Sequence, residues 1–512
     1  MTLPNLFANI GAIVYEADIA TLQHAMSTGQ CTAQDLVRAC QERIAAIDHG
    51  GPGIRSVLEL NPDALSIAAA LDQERTDGHL RGPLHGIPML LKDNIDTADQ
   101  MLTTAGSLAL VGSRVTQDAT VAQKLRAAGA ILLGKANMSE WANFRSSHSS
   151  SGWSGRGRQT RNPYVLDRTP CGSSSGSAAA VAASLCVVAL GTETDGSIVC
   201  PASICGVVGI KPTVGLTSRA GVIPISATQD TIGPHARTVA DAVTVLAAIA
   251  GLDPRDPATS AGSFPNDYAA LLDPHALRGA RIGVLRDVFK HGPAVGRVYE
   301  QSLATLAAHG AELIEVTLTA EAAGSGDGER LILLYEFKDG LRRYLAERVA
   351  GPGGEALPHN LADIIAFNKQ HDGEELPYFE QETMLAAQAV GDLDSPEYLE
   401  ALTISRDAAQ AGIDTLLSSH RLDALVAPTK TPAWLIDLLN GDNYLGGSSG
   451  PAARAGYPLI TVPSGFIHGL PVGLTFMGTA YSEPMLIRLA YAFEQATMAR
   501  RPPQFLPTLN LP

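Results

Sequence analysis

The chain has 512 residues, of which 45% are hydrophobic and 17% charged, and its formal net charge is −15. Such a chain can bury a large core, which excludes a disordered protein, and its acidic balance argues against a broad nucleic-acid or anionic-membrane surface. Six cysteines, with no paired zinc-ligand spacing, are too few for a disulfide scaffold and read as inert core thiols.

Taken in order, the first clear element is a helix opened by the capping-box pair Thr32 and Asp35, with Leu36, Cys40, Ile44 and Ile47 at helical spacing. No Lys or Arg stands before the first apolar residues, so no secretory leader is read and a soluble cytoplasmic protein is favoured, with a periplasmic or secreted one the alternative for a trimmed chain. Residues 58–75 read as a second helix. Pro88–Leu91 reads as a buried strand ending in Lys92, an unusual place for a lysine without a partner. Asp93 and Asp96 are candidate partners, or Lys92 reaches solvent along its stem. A helix over Val121–Gly129 and a strand over Ile131–Gly134 follow. Residues 141–168 form a polar loop with isolated Trp141, Phe144 and Trp153, of the length that walls or covers a site.

The most distinctive stretch runs from Gly172 to Pro212. Two Gly/Ser turns, Gly172–Ser177 and Asp195–Ser197, bracket an Ala-rich helix (Ser177–Ala183) and an apolar strand (Cys186–Leu190). That order folds the two turns back towards each other, and glycine lets their N–H groups line a concavity. Further on, Thr238 and Asp241 cap a helix through Ile249, and residues 252–276 run over the surface. Strands are expected at Arg281–Leu285 and Glu312–Leu318 around a helix at 298–309. A mostly helical segment at 329–419 has Gly-rich breaks at 351–354. Strands at Ala424–Pro428, Leu459–Val462 and Val472–Met477 precede a closing helix at Pro484–Arg500. The expected fold is α/β: one large domain spanning 1–512, a mixed β-sheet with helices on both faces, and 329–419 as its cover.

No phosphate-binding G-x-x-x-x-G-K-[ST], no S-x-x-K and no H-E-x-x-H occurs, so no metal or cofactor is expected. Two nucleophile readings remain. Gly172–Gly176 satisfies G-x-S-x-G with Ser174 as nucleophile and His468 as a late histidine, but two prolines and three charges occupy the strand that such an elbow needs. The alternative takes Lys92 as base; a lysine accepts a proton only when neutral, and burial at a strand end lowers its pKa.

With LHGIPMLLKDNID (84–96), KANMSEW (135–141), the run from Gly172, GTETDGSIVCPA (191–202) and GLPVGLTFMG (469–478), the chain resembles the amidase signature family of serine hydrolases over most of its length, with 84–212 as the core signature region. The resemblance implies a Ser–(cis-Ser)–Lys triad: nucleophile Ser197, bridging Ser173 at a non-proline cis bond, and base Lys92. It further implies an oxyanion hole of backbone N–H groups at Thr194, Asp195, Gly196 and Ser197. Asp195 and Val199 stand where glycine and arginine are common in the family. Asp195 then either caps its turn or orients the substrate NH₂. SGWSGRGRQTRNPY and LLYEFK resemble the members that remove the amide from C-terminally amidated peptides, which implies a peptide substrate lined by Asn143, Phe144 and Trp153. Alternatives within the family are aryl, fatty or other small amides, or an amidotransferase-type subunit. No nucleic acid, membrane span or obligate protein partner is implied.

Overall fold

A computed structural model describes residues 9–262, 264–265, 267–324, 327–351, 357–509 and 511. Its strands are β1 (Val57–Leu60), β2 (Pro88–Lys92), β3 (Ser113–Arg114), β4 (Ile131–Ala136), β5 (Val188–Glu193), β6 (Val208–Lys211), β7 (Thr231–Ala236), β8 (Arg281–Leu285), β9 (Glu312–Val316), β10 (Val349–Ala350), β11 (Ala424–Pro428), β12 (Leu459–Ile467) and β13 (Leu470–Met477). Eleven of them form one sheet in the order β1-β4-β2-β5-β7-β6-β12-β13-β11-β8-β9, and β3 and β10 pair separately. The sheet is mixed: β2 runs parallel to both β4 and β5, whereas β5 is antiparallel to β7.

Every residue of β2, β4, β5, β7 and β13 is buried. Successive side chains of a strand point to opposite faces, so burial of all of them means that both faces of the sheet are covered. This is why β2 and the first parts of β4 and β5 read as continuous apolar runs and not as alternating ones, whereas β7, TIGPHA, carries no such run and is not among the expected strands. The α/β expectation holds.

The helix Ser175–Ala182 is itself buried at every position, and its small residues let it press against its neighbours. A Cβ added at Gly176 would stand 2.3 Å from the Ser56 carbonyl oxygen and 2.4 Å from that of Asn137, where no side chain could yield. The Gly/Ser composition at 172–177 is thus a packing requirement, the opposite of a flexible linker.

Several expected boundaries shift. The expected helix at 58–75 divides into strand β1 and a helix at Ala64–Thr76, since β1 pairs antiparallel with β4. β5 starts two residues later than the apolar run and extends to Glu193, and the helix expected at 298–309 starts at Pro293, a favourable first helical position. The helix caps are present as read: Thr32 and Asp35 form a reciprocal capping box, and Thr238 accepts from the Asp241 N–H. Within 252–276, residues 263 and 266 lie outside the described residues, as do the Gly-rich breaks from 352 on.

The helices Asp327–Leu345, Leu361–Gln370 and Glu382–Ala389 pack through Leu334, Phe337, Leu341, Ile364 and Met384 into a second apolar cluster that includes Leu110, Met138, Trp141 and Ile223. These three helices therefore cover the loops that follow β2 and β4, whereas Ala409, Ile413 and Leu417 pack elsewhere, against Leu285, Val316 and Leu425. Among the described residues no helix is long and apolar enough to cross a membrane. Gly176→Ala should lower stability by about 1–3 kcal/mol by forcing backbone apart, whereas Gly373→Ala, with nothing within 4 Å of the added Cβ, should leave it unchanged; chemical denaturation of both variants checks this.

Candidate active site

Lys92 ends β2 with no exposed surface. Its Nζ lies 2.7 Å from Ser173 Oγ, 2.8 Å from Thr192 Oγ1 and 3.2 Å from the Thr192 carbonyl oxygen. β2 and β5 run side by side in parallel register, which brings Lys92 and Thr192 together although they are 100 residues apart in sequence. Asn94 Nδ2 donates to Thr192 Oγ1 at 3.0 Å and fixes that hydroxyl from the other side. Burial lowers the Lys92 pKa from 10.5 to about 7, with Asp230 and Glu193 opposing the shift.

The two acidic neighbours in sequence do not pair with this amine. Asp93 accepts from Thr104 and from the Gly106 N–H at 3.0 Å, and Asp96 accepts from Tyr344 Oη at 2.7 Å. Among the described residues nothing therefore holds Lys92 as a cation through a direct ion pair, and the desolvation is left to act.

Ser173 follows a cis peptide bond from Gly172 and is fully buried. The turn carrying Ser197 is tied to the Ser173 turn through the Ser174 N–H, which donates to the Ser197 carbonyl at 3.1 Å. Ser197 retains 8% exposure, and its hydroxyl makes no hydrogen bond to protein among the described residues. The structure thus brings Lys92 and Ser173 into contact and sets Ser197 beside them without a Ser173–Ser197 hydrogen bond.

Glu193, at the end of β5, shapes this turn and was not singled out from sequence. Its carboxylate accepts from the N–H of Gly196 (2.9 Å), Ile198 (2.7 Å) and Val199 (2.9 Å). Burial raises its pKa, opposed by Lys211 and the Ile198 and Val199 N–H groups. One expectation is corrected here: the Gly196 N–H is engaged by Glu193 and is not available to an oxyanion. The N–H groups of Thr194, Asp195 and Ser197 have no protein acceptor among the described residues. The left-handed backbone of the turn falls at Gly196 (φ +77°), not at Asp195. Asp195 is accessible yet flanked by protein, and burial raises its carboxyl pKa while a Ser449 hydrogen bond, Lys430 and Arg454 pull it down.

Asp230 was also missed. It accepts from Thr194 Oγ1 at 2.6 Å and from the N–H groups of Ile225 and Ser226, both at 2.8 Å, and burial lifts its pKa to about 6. An acidic residue in a loop usually reads as a turn cap, so no local signal points to this one.

The expected substrate contacts fare unevenly. Trp153 is 1% exposed, edge-on to Phe379 and Tyr378 with the Arg145 guanidinium over its ring, so it is a packing residue and not a substrate contact. Phe144 is half-buried edge-on to Phe337. Asn143 is half-buried, its amide 3.2 Å from Ser151 Oγ and close to Gly172. Ser174 and His468 do not form a nucleophile pair: the Ser174 hydroxyl donates to the Thr192 carbonyl at 3.0 Å, and His468 is exposed in the β12–β13 turn. Among the described residues no cluster of three His, Cys, Asp or Glu side chains could hold a metal ion.

Comparison with known proteins identifies the family. The family model described as Amidase matches residues 35–487. The crystal structure of native peptide amidase from Stenotrophomonas maltophilia is 55% identical and superimposes with a TM-score of 0.91, covering 96% of this chain and 99% of that one. A probable amidase of Arabidopsis thaliana is 43% identical over 96% of this chain and 92% of its own length. A glutamyl-tRNA(Gln) amidotransferase subunit from Chloroflexus aurantiacus is 36% identical over 94% and 97% respectively. With the match extending over most of its length, the chain belongs to the amidase signature family.

Proposed function

We propose that this amidase hydrolyses the C-terminal amide of peptides to a free carboxylate and ammonia, with Ser197 as nucleophile, Ser173 as proton bridge and Lys92 as base. The observation that carries the mechanism is the 2.7 Å contact between Lys92 Nζ and Ser173 Oγ, both fully buried. A neutral amine has two N–H bonds and one lone pair. Thr192 O and Oγ1 accept the two N–H bonds, which leaves the lone pair for the Ser173 proton. The choice of a peptide amide is supported by the 55% identity to a peptide amidase.

In this reading Ser197 Oγ swings onto Ser173 Oγ and attacks the amide carbon while its proton passes through Ser173 to Lys92. The oxyanion meets the free N–H groups of the 194–197 turn, a donor of this kind being worth roughly 3–4 kcal/mol in the transition state. The relay then runs in reverse: the C–N bond breaks, the nitrogen takes the proton and leaves as ammonia. Water attacks the resulting ester by the same route, restoring Ser197 and giving the carboxylate.

Because Lys92 must be neutral to accept a proton, kcat/KM should rise with pH through about 7, and Lys92→Met should abolish turnover at every pH. A profile flat from pH 5 to 9 would contradict the assignment. The purified chain alone should release ammonia from an amidated dipeptide and leave its internal peptide bond intact, read by mass spectrometry of the products. Ammonia release seen only with aryl or fatty amides would place it elsewhere in the family, and none without partner subunits would favour a transfer role.

A further inference from the structure

The helical cover reaches the nucleophile turn through a short polar chain. Glu329, in the first turn of the helix Asp327–Leu345, accepts from Gln229 Nε2 at 2.8 Å, and the same amide donates to the Thr194 carbonyl at 3.4 Å. Its sequence neighbour Asp230 holds the Thr194 hydroxyl. Two helical turns beyond Glu329, Glu336 accepts from the Thr228 N–H and hydroxyl at 3.1 Å and from Tyr398 Oη at 2.7 Å. The loop before β7 is therefore gripped at two points by the cover and grips Thr194 in turn.

A peptide unit is planar and trans, so its C=O and N–H point in opposite directions. Holding the Thr194 carbonyl on Gln229 therefore aims the Asp195 N–H away from the loop, and that N–H has no protein acceptor among the described residues. We propose that Gln229, anchored by Glu329, is a positioning residue that aims the Asp195 N–H at the oxyanion. This rests on the oxyanion role given to the 194–197 turn above. The cover then acts on the nucleophile turn through the Glu329 carboxylate and the Gln229 amide that it anchors.

The charged groups around Glu329 are Asp195 from the turn, Arg454 from the helix Gly450–Ala455, and Glu321, which lines the same cavity as Glu329 and Arg454; Asp230 adjoins Gln229 in the chain. Burial and Asp195 raise the Glu329 pKa to about 8. A carboxyl in place of the Gln229 amide would stand against that acid, able to donate when protonated and repelled by both Glu329 and the Thr194 carbonyl when ionised.

The test is the rate of Ser197 modification by a fluorophosphonate, in which Ser197 Oγ bonds to phosphorus, fluoride leaves, and the phosphoryl oxygen occupies the place of the oxyanion. Intact-mass kinetics follow it without reference to any amide substrate. Gln229→Leu should slow labelling about tenfold or more with an unchanged thermal midpoint, and Gln229→Glu should show a deficit relative to the parent that widens as pH rises. Labelling of Gln229→Leu within twofold of the parent would overturn the inference. Should Gln229→Leu fold poorly, a pH-independent ratio for Gln229→Glu overturns it equally. Parent enzyme that is never labelled at Ser197 would defeat both this inference and the nucleophile assignment. Normal labelling without peptide-amide hydrolysis would defeat only the substrate assignment.

Discussion

The arrangement depends on one buried contact, the Lys92 amine against the Ser173 hydroxyl. An amine in water is protonated at neutral pH and useless as a base; here burial brings its pKa to about 7. The surroundings keep that effect intact. Asp93 and Asp96, the nearest carboxylates in sequence, are satisfied by Thr104, Gly106 and Tyr344, so their charges are directed away. Asp230 and Glu193 lie close enough to oppose the shift but spend their hydrogen bonds on the Thr194 side chain and on turn N–H groups.

The sheet supplies the precision. β2 and β5 lie side by side, each wholly buried, so Lys92 and Thr192 emerge at the same end of adjacent parallel strands. Ser174 bonds across to Thr192 in both directions, accepting from its N–H at 3.2 Å and donating to its carbonyl at 3.0 Å, which locks the Ser173 turn to β5. Glu193, next along, holds the Ser197 turn. Consecutive positions at the end of one strand thus hold both serine turns.

Much of this was legible in the sequence because it is local. A lysine closing PMLLK and two Gly/Ser turns around an Ala-rich run are anomalies visible without a fold, and the resemblance assigned them roles. What was not legible depends on distant packing. The strand at 57–60 exists because β4 is there to pair with it, and VLEL alone has no way to indicate that partner. Trp153 in a polar loop reads as a lid residue, but the segment carrying Phe379 closes over it and Arg145 stacks above. Glu193 and Asp230 look like ordinary turn acids until their partners, 36 residues away for Asp230 and Thr194, are known.

The contact between Lys92 and Ser173 joins residues 81 positions apart, and Gln229 meets Glu329 across 100. Non-local pairings form late, after the loop-closure entropy of the intervening chain has been overcome. In the proposed mechanism a nascent or partly assembled chain therefore carries two ordinary serines and an ordinary ammonium group, each unreactive alone. On that mechanism hydrolytic power emerges only with the finished architecture, which spares the amides around it from a half-made enzyme.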